Sequence, residues 1–127
     1  MTSIQKEIIK WEKMSFLGLS ENEYFLFEGI KIPYMGSYLC EETFSKGVNC
    51  IGCLMVNKFR NEDNTFSTYC HDYQTIYRKE IGKILQLRTK MTIYDKYGNV
   101  LDDSKFRNEM KKVNSLYLEN LKENYSN

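Results

Sequence analysis

The chain has 127 residues, a formal net charge of +1, 42% hydrophobic and 28% charged residues. This length suits one compact domain spanning 1–127, and the aromatic content of 14% argues against a disordered chain. No continuous apolar run approaches the ~18–20 residues that cross a bilayer; the start, MTSIQKEIIKWEKM, carries frequent charges where a secretory signal would be apolar, so a cytoplasmic protein with no membrane partner is expected.

The first predicted element is an amphipathic helix over 3–17. Ile4, Ile8 and Trp11 recur at helical spacing, with Lys6, Lys10 and Lys13 assigned to another side. Thr2 and Gln5 fit a capping box and Gly18 a C-terminal stop. Residues 24–40, YFLFEGIKIPYMGSYLC, read as strands with a turn near Glu28-Gly29. Residues 51–59 are another strand candidate, and 60–65, RNEDNT, a loop. From 67 to 88 the pattern is helical: Tyr69, Tyr73, Ile76, Tyr77, Ile81, Ile84 and Leu85 form one stripe. MTIYDKYGNVL, 91–101, reads as a β-hairpin centred on Lys96-Tyr97-Gly98-Asn99, which supplies residues that accept a positive φ. A last helix follows over 104–124, capped by Asp103 or Ser104, with Phe106, Met110, Val113, Tyr117 and Leu121 as its stripe. The expected fold class is α+β, a small antiparallel sheet flanked by about three helices, with zinc as a stabilising ion.

The cysteines are the main chemical signal. Cys40, Cys50, Cys53 and Cys70 lie close in sequence, with His71 beside the last. Cys50-Ile-Gly-Cys53 has the two-residue spacing that aims both sulfurs at one ion, and four cysteines would close a tetrahedral zinc site. Adjacent residues diverge on a helix or strand, so Cys70 and His71 would not share the metal; His71 is the alternative to Cys70. A second Cys-x-x-Cys, which would make the pattern specific, is absent. Buried core thiols, a disulfide framework and a redox pair at Cys50/Cys53 are the competing readings.

No catalytic set emerges. His71 is the only histidine, the seven glycines form no phosphate-binding motif, and the paired acids Glu41-Glu42 and Asp102-Asp103 have no assignable partners. The expectation is a protein that is not an enzyme.

Charge is unevenly placed. Residues 78–112 carry ten Lys/Arg against five Asp/Glu, whereas 1–77 carry seven against ten. Arg78, Lys79, Lys83, Arg88, Lys90, Arg107, Lys111 and Lys112 are therefore candidates for a nucleic-acid surface, with Tyr73, Tyr77, Tyr94 and Tyr97 interleaved. A solvated helix surface explains the same charges, and tyrosine also suits a protein interface. The sequence reading is a small intracellular, zinc-stabilised binding module that acts sterically on a protein partner or a nucleic-acid-processing complex. The alternatives are a nucleic-acid-binding regulator and a thiol- or metal-dependent enzyme. The chain has no alanine but fourteen Lys, eleven Asn, ten Ile and ten Tyr, a codon bias toward A/T. That bias is compatible with a phage or mobile-element accessory inhibitor.

Overall fold

The computed structural model describes residues 1–33, 37–45 and 79–125. Helix α1 spans Ser3–Leu17, α2 Glu21–Glu28 and α3 Tyr38–Ser45. Helix α4 is described over 79–86. Strands β1 (Ile93–Tyr94) and β2 (Val100–Asp102) form a two-stranded antiparallel hairpin, and α5 spans Ser104–Tyr125. The α+β expectation holds as helices plus a small antiparallel sheet, with five helical segments among the described residues where about three were expected. The expected strand at 51–59, the loop at 60–65 and the first part of the 67–88 helix lie outside the described residues.

Helix α1 forms as its sequence dictates. The Thr2 hydroxyl accepts from the Gln5 N–H at 3.2 Å, and the Gln5 side chain accepts from the Thr2 N–H at 2.9 Å. This reciprocal pair satisfies two donors that the helix start leaves open. At the other end Gly18 turns left-handed at φ +70° and donates to the Met14 carbonyl.

The described residues of 24–40, which leave out 34–36, correct the strand expectation. Ser20 and Glu23 form a second capping box at 3.1 and 3.2 Å. Glu21 and Glu23 place negative charge in the first turn of α2, where the helix dipole favours it. Gly29, at φ +64°, closes the helix. Tyr24 and Phe25 are both buried while Leu26 and Phe27 are both exposed, so burial does not alternate as in a strand. The aromatic content that suggested strands instead packs one side of a short helix.

The hairpin matches its expectation. Gly98 has φ +84°. The Asp95 carboxylate accepts from the Tyr97 and Asn99 backbone N–H groups at 2.8 and 2.9 Å, which fixes the turn. These same bonds, Asn99's first, hold the Asp95 carboxyl below its ordinary range. The pairing sets Ile93 opposite Asp102 and Tyr94 opposite Val100, with an irregularity between Ile93 and Tyr94.

Helix α5 begins where Arg107 donates its backbone N–H to the Asp103 carbonyl. The Asp102 carboxylate accepts from the Ser104 N–H at 2.9 Å, so the carboxylate that caps the helix start is one residue earlier than expected. Phe106, Met110, Tyr117 and Leu121 are buried as the stripe predicts, while Val113 is half-buried. Asn114, fully buried, is the polar exception; its Nδ2 donates to the Met14 and Leu19 carbonyls, both at 2.9 Å.

The core lies between α1 and α5 and continues onto α2 and α3. Trp11, Met14, Leu19, Tyr24, Phe25, Leu39, Tyr117 and Leu121 form one buried cluster, edged by Ile4, Ile8, Tyr38, Ile81 and Leu118. Trp11 and Tyr117 pack with ring centroids 4.1 Å apart. Each such large apolar side chain contributes about 1.5–3 kcal/mol on burial, so this cluster is the main adhesive between the helices. No helix among the described residues is long and apolar enough to cross a membrane.

Candidate functional site

A buried ionic cluster fixes α1 against α2 and α3. Lys10 is 1% exposed and Glu7 2%. The Lys10 ammonium donates to Glu7 Oε1 at 3.0 Å and to Glu21 Oε2 at 3.1 Å. Glu7 also accepts from the Trp11 indole N–H at 3.1 Å and from the Tyr38 backbone N–H at 2.8 Å. Lys10 therefore does not join Lys6 and Lys13 on an outer face, as its charge suggested. Burial pulls its pKa down, but the charges of Glu7 and Glu21 and their hydrogen bonds outweigh this, and the net shift is upward. Lys10 stays an ammonium, also packed over the Trp11 and Phe25 rings. The Tyr38 N–H belongs to the first turn of α3, so Glu7 caps that helix from a distance of 31 residues in sequence.

Above this cluster lies an open groove of about 690 Å³. Lys6, Ile9 and Lys13 of α1 line it, spaced along one face. Tyr24, Glu28, Ile30 and Lys31 come from α2 and the residues after it, and Tyr38, Glu41 and Glu42 from α3. Lys13 pairs with Glu28 across the α1–α2 side. The Lys6 ammonium stands 5.7 Å from the centroid of the Tyr38 ring. Burial, first among the causes, raises the Tyr24 and Tyr38 phenols, which remain neutral donors near pH 7.

Beside the groove runs an exposed apolar stretch. Residues 26–32, Leu-Phe-Glu-Gly-Ile-Lys-Ile, are all exposed. Leu26 is 77% and Phe27 68% exposed, and Ile30 and Ile32 are exposed as well. Glu28, Ile30 and Lys31 belong both to this stretch and to the groove lining. Sequence reasoning missed this surface because it assigned 24–40 to strands. The Ser20–Glu23 box before the apolar run was the available signal.

A second ionic cluster ties α2 to α5. The Arg107 guanidinium donates to both Glu23 carboxylate oxygens, at 2.8 and 2.7 Å, to the Gly18 carbonyl at 3.0 Å and to Asp103 at 3.1 Å. Arg88 adds a longer contact to Glu23 at 3.4 Å and stacks over Phe106 at 4.4 Å. Burial alone would raise the Glu23 carboxyl. Arg107's hydrogen bonds, the Ser20 N–H and the charges of Arg107 and Arg88 outweigh it and hold the group at about 2 instead of 4.5.

These contacts decide what the predicted basic residues do. Arg88 and Arg107 hold Glu23 and are spent on the fold. Lys83 pairs with Glu80 and Lys112 with Glu109, each at 3.2 Å on the surface. Lys79 and Lys90 are exposed and Lys111 half-buried; Arg78 lies outside the described residues. Of the predicted metal ligands, Cys40 is half-buried on α3, whereas Cys50, Cys53, Cys70 and His71 lie outside the described residues. Among the described residues no three His, Cys, Asp or Glu side chains converge to hold a metal. Comparison of the chain with protein families, with curated proteins and with solved structures returned no match.

Proposed function

We propose that the chain is a binding module that holds a segment of a protein partner, in the groove between α1, α2 and α3 and over the exposed stretch 26–32. The observation that supports this reading most is four large apolar side chains, Leu26, Phe27, Ile30 and Ile32, within seven consecutive exposed residues, a stretch that joins the groove lining through Glu28, Ile30 and Lys31. Single exposed apolar residues are ordinary. A cluster of them at the edge of a concave site is what protein-binding surfaces present. Phe27 supplies the aromatic anchor that such interfaces favour. The buried cluster below keeps the walls in place, so little ordering is required on binding. The action is steric: the module masks or holds the surface it covers.

The test is selection of peptides from a random display library on the immobilised full chain, followed by affinity measurement with the Leu26→Ser/Phe27→Ser variant. Both side chains point to solvent, so the variant retains the wild-type circular dichroism spectrum. Selected peptides are expected to lose tenfold or more in affinity for it, roughly 1.4 kcal/mol or above. No enrichment, or peptides that bind both forms equally, overturns the reading. Tight binding of a single-stranded oligonucleotide that falls steeply with salt and ignores the two substitutions would put a nucleic-acid surface in its place.

A further inference from the structure

The charges of the groove are sorted by element. Lys6 and Lys13 come from α1, Lys31 from the residues after α2, and Glu41 and Glu42 from α3, with Met1 at the start of the chain also in the lining. Lys13 is matched by Glu28 within the groove. Lys6 faces Tyr38 at the α1–α3 side and makes no ion pair with Glu41, although both line the same concavity. Glu41 is exposed one turn along α3 from Tyr38. The site therefore presents positive points at Lys6 on α1 and Lys31 beyond α2 and a negative point at Glu41 on α3, with apolar Ile9 and Ile30 also in the lining.

A segment of uniform charge meets repulsion at one of these walls. A segment that carries both signs in the matching order avoids it, and like-charge juxtaposition is how interfaces reject wrong partners. We infer that the groove selects a mixed-charge peptide segment, its carboxylate toward Lys6 and its cation toward Glu41, with apolar side chains seated against Leu26, Phe27 and Ile30. This rests on the proposed binding function and specifies the chemistry of its partner.

Peptides selected on the wild-type chain, as above, serve as the probe. In each, the acidic residue is changed to Gln, then the basic residue, and binding is measured to the wild type and to the Lys6→Gln and Glu41→Gln variants. Both positions are exposed, and unchanged circular dichroism confirms that the variants are folded. Removal of the peptide acid is expected to weaken binding to the wild type about threefold and to leave binding to Lys6→Gln unchanged; the peptide base and Glu41→Gln form the matching pair. This is the scale of exposed ion pairs. Equal losses against wild type and variant, or selected peptides of one charge sign only, overturn the inference and leave the binding function standing. Failure to select any peptide removes both.

Discussion

Removal of Glu7 should unlock three helices at once. Glu7→Ala takes the nearer counter-ion from a lysine that is 1% exposed, the acceptor from the Trp11 indole and the cap from α3. Removal of one member of a buried ion pair costs about 3–5 kcal/mol, because the remaining charge stays in a poorly solvated site. Glu21 persists beside Lys10 at 3.1 Å and is part-exposed, which favours the lower end, near ~3 kcal/mol. The orphaned indole N–H adds about 1 kcal/mol. Against the ~5–15 kcal/mol of a typical domain, this is a large fraction of total stability. With a urea slope of about 2 kcal/mol per molar, the midpoint falls by roughly 1.5–2 M. The assay is urea denaturation followed by far-ultraviolet circular dichroism and by fluorescence of Trp11, the only tryptophan. The combined Glu7→Gln/Lys10→Met variant removes both charges, retains an acceptor and should recover most of the loss, since a buried pair replaced as a unit is often neutral. A Glu7→Ala midpoint within about 0.5 M of wild type, or a double variant no better than Glu7→Ala, would refute the account of a buried, mutually dependent pair.

Two further outcomes follow from described contacts and a third tests the cysteine reading of the sequence. The Glu23 carboxyl is depressed in the folded chain, so its stabilising contribution is complete above an unfolded value near 4.5 and is lost as pH falls toward about 2. Glu23→Gln should flatten this acid limb in a series of denaturation midpoints against pH, and an unchanged limb would assign acid lability elsewhere. Gly18→Ala should destabilise far more than Gly29→Ala. Both glycines are left-handed, which costs about 1–2 kcal/mol for alanine. A Cβ on Gly18 would additionally clash with the Arg107 carbonyl oxygen, whereas one on Gly29 meets nothing within 4 Å; equal melting temperatures for the two variants would contradict this. Zinc held by Cys40, Cys50, Cys53 and Cys70 requires one zinc per chain in protein purified without chelator, with thiols reactive only after denaturation and chelation. Metal-free protein with four titratable thiols would dismiss that site.

Where local chemistry decides the outcome, the sequence was sufficient. The Thr2–Gln5 box, the Gly18 stop, the hairpin centre at Gly98 and the Phe106–Leu121 stripe were all readable from neighbours a few residues apart. Helix α2 was not, because its own aromatics and the β-branched Ile30 and Ile32 just after it favour strands on average, while its identity rests on Ser20, Glu23 and Gly29 at its two ends. Lys10 was placed outward because charged residues seldom enter a core unpaired. Glu7 lies within a turn of it, but Glu21 comes from the next helix, and only that second carboxylate completes the site. The groove is wholly tertiary: its walls come from three helices brought together by contacts such as Glu7 to Tyr38, which no local pattern encodes. The basic segment 78–112 shows the reverse problem, since charge counting could not foresee that Arg107 would reach Glu23 from 84 residues away.

Asn114 sets how α1 and α5 mesh along their length. Apolar ridges of similar side chains tolerate sliding by a helical turn, about 5.4 Å, at modest cost. The Asn114 amide bridges the Met14 and Leu19 carbonyls, one before and one after the Gly18 turn, so it recognises the end of α1 and no other turn of it. A slipped pairing would bury an unpaired amide and uncover a bare carbonyl. One polar side chain in an oily seam thus acts as a key for alignment, and the groove built on α1 inherits its position from that key.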